Sequence, residues 1–199
     1  MGKYKSTIKS LSFLHLELKK ASELRLEGFN DKEIKERIRE DNIFMLKSDN
    51  RKRAIASEIV ARLSQLDEAL MEMITTKHSS IGKLITLYSI MKKDQLFLAF
   101  MQEVYRDKLI LGDHRVTAKD FNLFYQGKRE QEEVMGTWTD YTYKKLTQVY
   151  KRILVEAGLA KRVNKDIEIQ PAIIDYDLEE SIKAVGDEDY VKILQGVRQ

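Results

Sequence analysis

The sequence predicts an all-α fold: a compact multi-helix globular protein with two helix-turn-helix elements, the C-terminal one winged by a small β-hairpin. Three observations carry this reading. One proline and nine glycines among 199 residues leave little to interrupt helices, and good helix formers fill the segments between them. Apolar residues recur about every 3.6 positions through most of the chain. Only after Gly158 does the pattern change, to a loose alternation around Asn164–Lys165.

The elements follow in order. A first helix is expected from Leu11 to Glu27, closed by Gly28, the residue best suited to a left-handed C-terminal cap. Asn30 then caps a helix over Asp31–Asp41, with Glu33 completing a capping box and Ile34 and Ile38 facing inward. The short join "EGFND" is that of a helix-turn-helix. The connector "NIFMLK" leads to a helix capped by Ser48, with an apolar stripe at Ile55, Ile59, Leu63 and Leu66. Residues 67–111 read as helical and apolar, with Ser79 or Ser80 and Asp94 as N-caps. Their methionines and aromatics fit core packing better than a cofactor pocket. Thr117 with Asp120 opens the helix "AKDFNLFYQGK". Thr139 caps a helix running from Asp140 to Ala157, and Gly158 ends it. "LAKRVNKDIEI" then turns back on itself at Asn164–Lys165. An acidic tail after Pro171 holds short helices near Leu178–Val185 and Tyr190–Val197. Three regions are expected: 1–70, an N-terminal helix-turn-helix region; 71–135, a central helical core; and 136–199, a winged-helix-like region with the tail. No long heptad seam appears, so a monomer is expected.

Composition narrows the chemistry. With 43% apolar and 34% charged residues the chain is folded rather than disordered. The absence of cysteine excludes disulfides, thiolate catalysis and cysteine-ligated zinc. The longest apolar run, Leu96–Met101, falls far short of the about 20 residues that span a bilayer. The N-terminal "MGKYKSTIKSLSF" has no apolar signal core. A soluble cytoplasmic protein with no membrane partner is therefore expected. His15, His78 and His114 lack ligand spacing, phosphate-loop and nucleophile-elbow motifs are missing, and carboxylates sit beside lysines and arginines. No enzymatic activity, catalytic residue, metal, cofactor or small-molecule substrate is expected.

Charge placement is more informative. The net charge is only +3, but residues 140–165 carry +5 and residues 166–199 carry −6. On the helix after Thr139, Leu146, Val149, Tyr150, Ile153, Leu154 and Ala157 share one side. Lys144, Lys145, Gln148, Lys151 and Arg152 take the other. Asp140 can pair with Lys144 and Arg152 with Glu156, which leaves Lys145 and Lys151 without partners at helical spacing. Arg51, Lys52 and Arg53 pose a second anomaly. They sit in the first turns of a helix, whose N-terminus already carries partial positive charge, and positions 54–57 are Ala, Ile, Ala and Ser. A phosphate at that turn would meet free backbone N–H groups and three cations together. The competing explanation is that Asp187, Glu188 and Asp189 of the tail neutralise it. Two over-cationic helices, each following a short turn, favour double-stranded nucleic acid.

At "EDNIFMLKSDNRKRAIASEIVARL" and "TWTDYTYKKLTQVYKRILVEAGLAKR" the chain resembles the BrxA family, small core components of bacterial BREX phage-exclusion systems. The resemblance rests on Asp41–Phe44, on Lys52–Arg53 with Arg62 downstream, on the Trp138–Thr139 helix entry, and on Ile153–Leu159. It covers roughly residues 10–165 and leaves the tail unmatched. It implies an all-α DNA-binding accessory subunit without enzymatic activity, acting beside the methyltransferase, ATPase and phosphatase-like components of such a system. The family has also been likened to the antitermination factor NusB, which implies RNA as an alternative partner; a protein-interaction adaptor is the other alternative. Carried onto this sequence, the implied contacts are Lys47, Arg51, Lys52, Arg53, Lys144, Lys145, Gln148, Lys151, Arg152, Lys161 and Arg162. Few of these can read base edges, so binding should be phosphate-driven. With about 6–10 phosphates engaged, affinity would fall by about 10³–10⁵ between 50 and 200 mM salt.

Overall fold

The computed structural model describes residues 4–11 and 13–198, which are mostly helical with one three-stranded antiparallel sheet. The chain forms two compact units, Leu14–Lys93 in one and the N-terminal segment through Phe13 together with the chain from Asp94 in the other.

The first unit contains α1 (His15–Leu26), α2 (Asp31–Arg39), α3 (Asp49–Leu63), α4 (Glu68–Thr76) and α5 (Ser79–Lys93). The predicted start of the first helix is corrected. The helix begins at His15, because Leu14 has φ +59° and cannot continue a right-handed turn. Within the predicted span, Ser12 lies outside the described residues. The end is as expected: Gly28 has φ +98°, and Phe29 N–H donates to Leu24 O at 3.1 Å. Asn30 Oδ1 accepts from Lys32 N and Glu33 N, while Glu33 Oε2 accepts from Asn30 N at 2.7 Å. Ser79 opens α5 rather than capping it; the backbone N–H of Ser80 donates to His78 Nδ1. α1 packs on α3, α4 and α5, and α2 on α3. Leu18, Ile34, Ile38, Ile55, Ile59, Ile74, Ile85 and Tyr88 make the core. Gly82 is required where α5 passes α1, since a Cβ there would lie 2.8 Å from His15 Cε1.

In the second unit a short 3₁₀ turn (Thr7–Ser10) packs against a long helix that comes later in the chain. α6 (Gln95–Phe100) is capped by Asp94, whose Oδ1 accepts from Phe97 N at 2.8 Å. It runs through a π-helical stretch (Met101–Arg106) into α7 (Asp107–Ile110). β1 (Arg115–Val116) follows, then α8 (Ala118–Gln131), α9 (Glu133–Gly136) and α10 (Asp140–Glu156). β2 (Ala160–Val163) and β3 (Asp166–Ile169) form the expected hairpin, with Val163 opposite Asp166 and Asn164 at φ +56° in the turn. β3 also pairs with β1, giving the order β1-β3-β2. The two-residue β1 has no sequence counterpart; it is too short to show alternation. α11 (Tyr176–Ala184) and α12 (Glu188–Gln195) complete the chain.

Aromatic rings build this core. Phe97 meets Tyr150 edge-on at 4.9 Å between centroids, and Phe100 stacks on Phe121 at 5.0 Å. Tyr105 Oη, 2.6 Å from Gln170 O and 3.2 Å from Leu194 O, ties the segments flanking the acidic tail to the π-helical stretch.

Candidate nucleic-acid interface

α10 displays the central candidate surface. Thr139 Oγ1 accepts from Thr142 N at 3.3 Å and starts the helix. Leu146, Val149, Tyr150, Ile153 and Leu154 bury one side of it. On the other side Lys144 and Gln148 are exposed, and Lys145 is half-buried with Nζ 5.4 Å from the centroid of the Tyr141 ring. Tyr141 itself is 64% exposed. The pairing of Lys144 with Asp140 that the spacing allows is not made.

Two members of the predicted cationic arc are engaged within the fold. Lys151 is only 8% exposed. Its Nζ donates to Lys165 O at 2.6 Å and lies 5.3 Å from the Phe121 ring centroid. Lys151 thus has no acid at helical spacing, as expected, but it is engaged by a backbone carbonyl, which helical spacing of charges cannot reveal. Arg152 Nη2 donates to Leu11 O at 2.8 Å, and its Nε lies 3.9 Å from Glu156 Oε1, the carboxylate expected from spacing.

The hairpin continues the basic surface. Lys161, Arg162 and Lys165 are exposed, although Lys161 Nζ sits 3.4 Å from Glu168 Oε2 on the facing strand. Arg115 on β1 pairs with Asp166 at 2.9 Å. The sequence reading did not single out two further cations beside α10. Lys9 Nζ donates to Thr142 Oγ1 at 3.4 Å. Arg129, in the last turn of α8, has its guanidinium 5.7 Å from the Tyr143 ring centroid. Arg129 could have been noticed as one of two adjacent cations ending a helix, but that is also where the helix dipole favours them.

In the other unit Ser48 Oγ accepts from Arg51 N at 3.3 Å, so the predicted cap of α3 is present. Lys47 and Arg53 are exposed, and Arg51 and Lys52 half-buried. The acid that eases this turn lies upstream of the cations, where the sequence reading did not look: Lys52 Nζ is 3.4 Å from Asp49 Oδ1. With the Asp49 side chain 78% exposed, such a pair contributes about 0–1 kcal/mol at most. In the tail, Glu188 and Asp189 pair with Lys192 on their own helix, at 2.9 and 3.3 Å.

A family model described as BrxA matches residues 2–186. A relative named BREX protein BrxA, from Bacillus cereus (strain H3081.97), is 45% identical over 193 residues, covering 97% of this chain and 96% of the relative. Another BREX protein BrxA, from Paramagnetospirillum magneticum (strain ATCC 700264 / AMB-1), is 24% identical over 156 residues, 78% of each chain. A crystal structure of an uncharacterized protein from Magnetospirillum magneticum superposes with a TM-score of 0.85 at 20% identity, over 98% of this chain and 99% of that one. At that identity the likeness concerns the fold alone.

Proposed function

The chain belongs to the BrxA family, and on that premise we propose that it is a double-stranded DNA-binding accessory subunit of a BREX-type bacteriophage defence system, acting beside that system's other components. One observation carries the DNA part of the reading. Helix, short strand, α8 and α10 with the four-residue α9 between them, and hairpin follow one another in the second unit, with sheet order β1-β3-β2. This order supports reading the unit as a winged helix-turn-helix, with α10 as the helix that would enter the major groove. The exposed side of α10 carries Lys144, Lys145 and Gln148, and the wing carries Lys161, Arg162 and Lys165.

The contact set is smaller than the sequence implies, because Lys151 and Arg152 already hold parts of the fold together. With about four or five phosphates engaged through α10 and the wing, affinity for random duplex should fall by about 10²–10³ between 50 and 200 mM salt. Fluorescence anisotropy on a labelled random duplex at those two concentrations tests this. Salt-independent association would refute a phosphate-driven mechanism. Structured RNA outcompeting duplex DNA would favour the RNA alternative instead.

A further inference from the structure

A groove with a volume of about 720 Å³ runs between α8 and α10. Asn122 and Arg129 line it from α8, and Asp140, Lys144 and Gln148 from α10. We propose that this groove is a phosphate-binding part of the duplex interface, where Arg129 and Lys144 grip the backbone of one strand and Asp140 weakens the grip. The proposal rests on the duplex-binding reading above and extends it to residues on α8.

The charges support a polyanion here. Arg129 and Lys144 are exposed, and neither forms an ion pair among the described residues. Among the described residues the Arg129 guanidinium meets the Tyr143 ring of α10, a cation–π geometry that holds it toward the groove and leaves its N–H donors to meet phosphate oxygens. Lys144 has an acid four residues upstream and does not take it. The side-chain amides of Asn122 and Gln148 make no hydrogen bond among the described residues, and they suit phosphate oxygens.

The shape favours backbone over bases. Phe121 and Tyr125, which floor the groove, are 1% and 4% exposed. Neither ring offers a face on which an unpaired base could stack, and Tyr143, the third ring of the lining, is half-buried with Arg129 against it, so the groove suits a backbone better than a single-strand platform. Lys144 and Gln148 border both the groove and the exposed side of α10, so a strand seated here continues onto the proposed major-groove face. Lys151, which anchors the wing, is about 10 Å further along the same helix at 1.5 Å per residue.

Asp140 gives the proposal a test of opposite sign. The experiment compares full-length wild type with Arg129→Gln, Asp140→Asn and Lys145→Ala, the last on α10 outside the groove. Affinity for a random duplex is measured across a salt series, with circular dichroism confirming the fold. Arg129→Gln should lower the salt slope by about 1 and weaken binding about eightfold at 0.1 M salt. Asp140→Asn should tighten binding severalfold, which a residue serving only the helix start would not do. If Arg129→Gln and Asp140→Asn bind as wild type while Lys145→Ala is weakened, the groove is not part of the interface and the duplex reading stands. If wild type fails to bind duplex at 50 mM salt, the duplex reading falls and takes the groove with it.

Discussion

Lys151 Nζ donates to the backbone carbonyl of Lys165 across 2.6 Å, fastening the wing turn to the fourth turn of α10. Burial pushes the Lys151 pKa below the ordinary lysine value, Asp166 opposes the shift, and Arg162 adds to it. A buried ammonium is tolerated where its hydrogens are used, and here the carbonyl and the Phe121 face supply partners. The helix and the hairpin are thus held in one geometry by a residue that the sequence offers as a DNA contact.

The first prediction follows from this bond. Lys151→Met removes the donor, and the loss of a hydrogen bond to a charged group costs about 1.5–3 kcal/mol. Lys145→Met, on the exposed side, should stay within about 0.5 kcal/mol of wild type. Urea denaturation of the two variants checks the contrast. Equal stability would show that the bond contributes nothing to the wing.

The second concerns binding through α10. A Lys144→Glu, Lys145→Glu double variant should weaken all duplexes alike and reduce the salt slope by about 2, since each lost phosphate contact removes about 0.9. Lys151 is left intact, because reversing its charge would unfold the wing and mimic a binding defect. Sequence-dependent losses in a competition assay would instead mark these lysines as base readers.

Local chemistry was legible in the sequence, and tertiary partnerships were not. Asn30 with Glu33, Asp94, Thr139, Gly158 and Asn164 each declare a cap or turn within a few residues, and the structure places each as expected. Leu14 at φ +59° was invisible, because nothing in its immediate sequence demands a left-handed leucine. β1 exists only because β3 pairs with it, across about fifty intervening positions. Of the basic arc expected on α10, Lys144 and Gln148 are exposed, but charge periodicity cannot distinguish them from Lys151 beneath the hairpin. Arg129 lies on a different helix from the cations it joins, so no single segment announces the groove.

The third prediction concerns a buried charge cluster within the first unit. Arg62, part of the motif on which the family resemblance rests, is fully buried, and its Nε donates to Glu58 Oε1 at 2.8 Å. Lys93 Nζ pairs with the other carboxylate oxygen of the same glutamate. Glu58→Ala removes the carboxylate that the buried Arg62 guanidinium and the Lys93 ammonium share, and breaking such a pair costs about 3–5 kcal/mol. A Glu58→Leu, Arg62→Met double variant removes both charges and should recover most of that loss. Thermal unfolding of the single and double variants decides the matter; a double variant no more stable than the single would show that packing rather than charge is at stake.

The fourth prediction is a pH dependence. His15 Nδ1 lies 3.1 Å from Thr86 Oγ1, and that hydroxyl donates to Gly82 O at 2.9 Å. The hydroxyl proton being committed, the network assigns the imidazole hydrogen to Nδ1 in the neutral ring. Burial, then Lys83, then Lys19 hold the His15 pKa below its ordinary 6.5. The unfolded chain therefore takes up this proton at higher pH than the folded one. The stability that neutral His15 contributes is present above about pH 6.5 and is lost as pH falls from there toward the lower folded-state pKa. His15→Gln keeps a polar side chain without the titration, so its unfolding free energy should vary less between about pH 7 and pH 5 than that of wild type. Parallel denaturation series across that range check this, and identical slopes for the two proteins would assign the acid sensitivity to other groups.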